Sequence, residues 1–240
     1  MAATLNKQQL LTQVHAILKK KFPAAPEASD PRTVLEEVLF AILRENTIPE
    51  QAQAAFLKLK ESFYDLNEVR VSSIAEVAEI FAGLPEAGSK AKRIVEFLQE
   101  HFERTFSFVL EDLEKKGLKQ AAKQLARYKD HGVNDFVVAW VTQRALGGHA
   151  IPLDDATIRV LHRLGILEAE IEDLESARGT LEHFIPKAKG PEFTDLMVQH
   201  ADAICVVEEP HCSICPLKAD CVTGQELLSA KATKSKAKPR

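Results

Sequence analysis

An all-α fold is what this sequence predicts, on three observations. Apolar residues recur at three- and four-residue spacing along almost the whole chain. Glycine and proline are sparse, 10 and 11 of 240 residues, and fall between the periodic stretches. No alternating run of β-branched residues is long enough to make a strand. The composition, 45% hydrophobic and 28% charged, is that of an ordinary soluble chain with room for one large helical unit or two small ones.

The elements follow in order. Val34, Leu35, Val38, Leu39, Ile42 and Leu43 form one stripe, with Asp30 expected as its N-cap and Pro31 in its first turn. Pro49 opens a helix reaching about Phe63. Ser73 with Glu76 reads as a capping box, and Gly83 ends that helix. Ser89 is expected to cap another, running to about Arg104, and helical stretches follow near 110–116 and 118–129. Phe136 to Val141 is apolar on every side, the pattern of a buried central helix, and Gly147 and Gly148 end it. A further helix starts after Asp154 or Asp155 and stops at Gly165, and helices near 172–185 and 191–204 complete the body. There is no internal repeat.

Charge and targeting set expectations about partners. The formal net charge is −4, which argues mildly against tight nucleic-acid binding, but Lys231 to Arg240 holds five cations and no anions. Residues 223–240 are therefore expected to be a basic disordered tail, solubilising or touching phosphates non-specifically. No apolar run reaches the length of a membrane span and no signal peptide opens the chain, so the expected setting is the cytoplasm, with nucleoid association and no membrane contact.

All four cysteines cluster in the pattern Cys205-x6-Cys212-x2-Cys215-x5-Cys221. Such clustering implies a shared partner. Disulfides do not suit a chain without an export signal. Zinc takes four thiolates, usually from two close pairs, and one such pair is present. A [4Fe–4S] cube takes four thiolates at wider spacings. Spacing alone leaves zinc and the cluster both open.

Three stretches together resemble the helix-hairpin-helix DNA glycosylase superfamily. The cysteine loop, after His200-Ala-Asp-Ala-Ile-Cys205, is similar to the iron–sulfur loop of endonuclease III and the related adenine glycosylase. Asp130-His-Gly-Val-Asn-Asp135 resembles the family's hairpin, and Ile151-Pro-Leu-Asp-Asp-Ala-Thr-Ile-Arg-Val160 its catalytic-aspartate segment, at a hairpin-to-Asp distance that also fits. Fainter echoes are Leu43-Arg-Glu-Asn-Thr47 at the lesion-side loop, and Gly83-Leu84 with Ser89-Lys90-Ala91. The resemblance covers roughly residues 30–222. It implies two helical domains flanking a cleft: a six-helix domain at 30–130 with the first hairpin helix, and a second made of 1–29 and 131–222 with the hairpin turn, the catalytic-Asp helix and the cluster loop.

The resemblance also implies roles. Cys205, Cys212, Cys215 and Cys221 would hold a [4Fe–4S] cluster. His131, Gly132, Val133 and Asn134 would bind the DNA backbone, Gly132 supplying a left-handed turn and Asn134 standing, as the best non-glycine substitute there, where a second glycine is usual. Asp154, with Asp155 as the register alternative, would stabilise positive charge on the sugar as the base leaves, while one of the pair caps the helix. Phe136 and Asn46 would line the base pocket.

Two departures shape the expected activity. Phe136 occupies the position at which bifunctional members carry a Schiff-base lysine, so a lyase step is not expected, unless Lys123 or Lys129 reaches in. Phe136 stacks on a flipped base, favouring an alkylated purine, or packs in the core. Glu208 and Glu209 lie in the cluster loop, where carboxylates repel phosphates. The expectation is a monomeric, monofunctional glycosylase acting on damaged double-stranded DNA. The alternative is a non-catalytic iron–sulfur module that binds DNA or a protein.

Overall fold

The computed structural model describes residues 6–25, 31–168 and 174–236. They divide into two compact units. Ala25–Pro152 is continuous, and Met1–Ala24 joins Leu153–Arg240 in the other. Among the described residues every regular element is helical, as the sequence predicts. The boundaries differ from those expected at 29/30 and 130/131: they fall at 24/25 and 152/153, so the hairpin lies wholly inside the continuous unit.

The discontinuous unit begins with α1 (Lys7–Lys21), capped by a reciprocal Asn6–Gln9 box. The continuous unit holds α2 (Val34–Arg44), α3 (Pro49–Ser62), α4 (Leu66–Val71), α5 (Ile74–Ile80), α6 (Ala87–Thr105), α7 (Leu118–Leu125) and α8 (Asp135–Arg144), with 3-10 turns at Glu111–Leu113 and Ala126–His131. The N-cap of α2 is Thr33, boxed with Glu36; Asp30, expected there, lies outside the described residues. Ser73 and Glu76 do form the predicted box on α5. Ser89 does not cap α6. That role falls to Glu86, held in the left-handed region at φ 54°, which starts the helix three residues earlier than a Ser89 cap would. The short α4, capped by Asp65, is too brief for apolar periodicity to reveal it.

The core of this unit is α2 against α8. Nearly every residue of α2 is buried because partners lie on several sides, which is why its sequence is apolar beyond a single stripe. The Glu37 carboxylate it buries is satisfied at both oxygens. Trp140 Nε1 donates to Glu37 Oε1 at 2.6 Å, and Arg32, its guanidinium 3.5 Å from the centroid of Phe40, pairs with the other oxygen at 3.4 Å. A buried carboxylate left without such donors would cost several kcal/mol, about 3–5 by analogy with broken buried pairs.

The end of α2 is closed from α6. Lys90, 3% exposed, donates to the carbonyls of Ile42 and Leu43 at 3.1 Å and of Glu45 at 2.5 Å. A helix leaves its last carbonyls without internal partners, and a cation there also meets the negative end of the helix dipole.

In the other unit, α9 (Asp155–Arg163), α10 (Leu174–Phe184), α11 (Gly190–Ala203) and α12 (Val222–Lys236) follow. α1 packs on α11, fixed by Glu192, which meets His15 at 2.9 Å and Lys19 at 2.7 Å. The tail expected to be disordered from 223 is helical from Val222 to Lys236; 237–240 lie outside the described residues. Gln225, Glu226, Leu227 and Leu228 are good helix formers, and α12 packs on α9, so the cations beyond them ride on a helix.

Replacing Lys90 by Met keeps the stem and removes the donors. The expected result is a loss of about 2 kcal/mol of unfolding free energy in urea titration; an unchanged midpoint would mean the ammonium does not close α2.

Candidate functional site

The hairpin is built by the 3-10 turn Ala126–His131, Gly132 and α8. Gly132 is left-handed, φ 93°, as predicted, and its backbone presses on α6: a Cβ there would fall 2.5 Å from the carbonyl oxygen of Arg93. Asn134 departs from expectation. Its φ of −83° is extended, and it serves as the N-cap of α8, its side-chain oxygen accepting from the Val137 N–H at 3.1 Å. A single glycine therefore suffices for the turn. The N–H groups of Gly132 and Val133 both point to the Tyr128 carbonyl, and Val133 is buried. The first turn of α8, whose N–H groups a helix leaves without internal partners, follows directly. Asp135 sits exposed on it, and His131, half-exposed, lies 3.6 Å from Glu100.

One carboxylate ties this turn to the 44–47 loop. Glu45 accepts from Arg93 Nη1 at 2.7 Å and from Asn134 Nδ2 at 2.8 Å, while Arg93 Nε donates to the Gly132 carbonyl at 3.0 Å. The loop's next residue, Asn46, is left-handed, φ 54°. Sequence reasoning missed Glu45 and Arg93. They lie 89 and 39 residues from their hairpin partners, and no local pattern reports a pairing at that range.

Phe136 is 4% exposed and stacked on Trp140, centroids 5.9 Å apart, within the core of the continuous unit. Within that unit it is a packing residue.

Asp154, not Asp155, caps α9. Its Oδ1 accepts from the Thr157 N–H at 2.8 Å, and it is 2% exposed, whereas Asp155 is exposed in the first turn. The preceding Ile151-Pro152-Leu153 is itself buried or half-buried, so the chain enters the helix with Asp154 already inside.

The four cysteines all line one cavity with Val160, Leu164, Ile204, Pro210 and Leu217. Two sulfurs accept from N–H donors, Cys221 Sγ from the Gly224 N–H at 3.3 Å and Cys205 Sγ from Arg163 Nη1 at 3.4 Å, and Cys215 Sγ lies 3.9 Å from His200 Nε2. Burial pushes the Cys215 thiol up to about 11 and raises Cys221, and it lowers His200 to about 4. Among the described residues no group of three His, Cys, Asp or Glu is placed to hold a single metal ion. The loop is held from α9: Arg163 also donates to the carbonyls of Val206 at 2.6 Å and Val207 at 2.8 Å, and Arg159 to that of Cys205 at 3.0 Å. These two arginines, four apart and one and two turns after Asp154, were also missed; their spacing on one helix face was the available signal. Glu208 and Glu209 are exposed.

This arrangement has known counterparts. No family model matches the chain. It is 26% identical over 113 residues to an endonuclease III homolog of Encephalitozoon cuniculi, 47% of this chain and 46% of that one, so that match spans about half the relative's length. It is 24% identical over 224 residues to endonuclease III of Synechocystis sp., covering 92% and 95%. Among solved structures it is similar to a non-covalent endonuclease III–DNA complex (TM-score 0.69, 20% identity, 94% and 99% covered) and to a thermostable thymine-DNA glycosylase (TM-score 0.64, 16% identity, 92% and 97% covered). The fold is that of the helix-hairpin-helix DNA glycosylases. In sequence and in fold alike, the chain is similar to endonuclease III.

Gly132→Ala combines the left-handed φ with the contact at Arg93. It is expected to cost about 2 kcal/mol or more in chemical unfolding, whereas Gly88→Ala on α6, where nothing lies within 4 Å of an added Cβ, is expected to cost nothing.

Proposed function

We propose that this chain is a monofunctional DNA glycosylase of base-excision repair. It hydrolyses the N-glycosidic bond of a damaged base flipped from double-stranded DNA, with Asp154 as the catalytic carboxylate. The observation that carries this reading is the setting of Asp154: a buried carboxylate at a helix start, one oxygen fixed by the Thr157 N–H. Departure of a base leaves positive charge on the sugar. A carboxylate held in one orientation stabilises that charge without reorganising, and can orient the attacking water. Phe136, lacking a nucleophile and packed on Trp140, offers no Schiff base, which supports hydrolysis without strand cleavage. Its packing gives no support to base stacking, so the lesion is left to a panel of substrates. The hairpin would place the duplex through the N-terminal turn of α8, without reading sequence.

Cys205, Cys212, Cys215 and Cys221 fit a [4Fe–4S] cluster: four thiols line one largely apolar cavity and N–H donors address two of the sulfurs. The bound group would supply a covalent tie among the loop, α9 and α12. Arg163 and Arg159 then hold the loop's backbone on α9, the helix that Asp154 caps.

A second reading, a non-catalytic binding module, is favoured by Asp135, Glu208 and Glu209, exposed acids where phosphates would come. Asp154→Asn separates the two. Asn caps a helix as well as Asp, so the variant is expected to unfold within a few degrees of the parent. Single-turnover excision should fall by about 100-fold or more, with Asp155→Asn unaffected. An excision rate unchanged in Asp154→Asn would remove Asp154 from catalysis. Protein purified without oxygen is expected to contain about four iron atoms and broad visible absorbance, both lost in Cys215→Ser; zinc in place of iron would contradict the cluster.

A further inference from the structure

The hairpin has an electrostatic problem. Asp130 and Asp135 flank the turn, both exposed, and the chain as a whole carries −4. A phosphate approaching the N-terminus of α8 meets carboxylates first. The helix dipole there attracts an anion only weakly at an exposed site.

The cations that would offset this lie just upstream. From Lys115 to His131 the chain holds six Lys or Arg and one acid, Asp130. On α7, Ala121 and Leu125 face the core, and Lys119 and Lys123, four apart, fall on the opposite, exposed face. Arg127, four further on in the 3-10 turn, is exposed, as is Lys129 beside it. The neighbouring acids are already engaged. Asp112 pairs with Lys115, Glu111 accepts from the Leu110 N–H, and Glu100 is taken by Arg104 and His131. Glu114 is exposed at the far end of the run.

We propose that Lys119, Lys123 and Arg127 form a track for the backbone of duplex DNA that extends the hairpin contact along its first helix. The stripe and the turn belong to the same compact unit, so the geometry linking them does not depend on the other unit. Its partner is a polyanion of regular charge: three exposed cations at four-residue spacing, with no aromatic side chain between them, match phosphates and read no base. Binding strength is thereby moved from the cluster loop, where Glu208 and Glu209 stand, to the hairpin's own helix. The proposal rests on the reading of the chain as a DNA-binding glycosylase and adds the surface that supplies its affinity.

The test is the salt dependence of binding to an undamaged duplex and to one with a stable abasic analogue, measured by fluorescence anisotropy. The triple variant Lys119→Gln/Lys123→Gln/Arg127→Gln changes exposed side chains outside the catalytic set. Its slope of log affinity against log salt should fall by about 2–3, since each lost phosphate contact is worth about 0.9. Affinity near 0.1 M salt should drop at least tenfold, equally on both duplexes. A control that removes the same charge elsewhere, Lys20→Gln/Lys21→Gln/Lys58→Gln, should keep the parental slope. An unchanged slope in the stripe variant, or an equal fall in the control, overturns the track. Full-chain protein that excises no lesion yet shows the stripe-dependent slope overturns the glycosylase reading and keeps the track; no duplex binding even at low salt overturns both.

Discussion

The continuous unit depends on two cations of one helix. Lys90 and Arg93 stand three apart on α6 and point at different ends of the same problem: Lys90 closes the carbonyl end of α2, and Arg93 carries the Gly132 carbonyl and the Glu45 carboxylate. The 44–47 loop and the hairpin turn each carry internal bonds, Thr47 N–H to the Arg44 carbonyl and Val133 N–H to the Tyr128 carbonyl, and each is also reached from α6. Asn46 and Gly132 both adopt the left-handed region, and both sit where α6 braces the backbone from outside. Glu45 then joins the two segments by accepting from Arg93 and Asn134 together. Charge-assisted bonds in a half-buried setting are about twice as strong as neutral ones, which suits a turn whose function requires a fixed shape.

The discontinuous unit uses the same device on its cysteine loop. Arg159 and Arg163 project from α9 and grip the carbonyls of Cys205, Val206 and Val207, so the loop's first segment is set by the helix that Asp154 caps. Burial raises the Cys215 thiol to about 11 and pushes the Cys221 thiol up, so binding a group there as thiolates releases protons, and its affinity falls as pH falls. The sulfurs receive N–H donors from a backbone amide and an arginine, which compensates thiolate charge in an otherwise apolar cavity.

Much of this was legible in sequence where the signal is local. The Ser73–Glu76 box, the Gly132 turn, the buried α8 and the common cavity of the four cysteines each follow from residues close together in sequence. The misses have physical causes too. Ser89 looked like a cap, but Glu86 in the left-handed region started α6 earlier. Asn134 was read as a glycine substitute, yet its oxygen is better used on the Val137 N–H, which demands an extended φ. The tail's charge suggested disorder and hid a helix that starts at the last cysteine and packs on α9. The division at 152/153 depends on α8 packing against α2, about a hundred residues away, and no periodicity reports that.

The proposed activity, with Asp154 capping α9 and Phe136 offering no nucleophile, is release of a damaged base with the strand left intact. The direct measurement is incubation of anaerobically purified, iron-loaded protein with duplexes each bearing one alkylated, deaminated or oxidised base, analysed with and without hot alkali. Strand breaks on at least one lesion that appear only after alkali are the predicted result. Breaks without alkali would contradict the monofunctional assignment, and no product on any lesion would contradict catalysis itself.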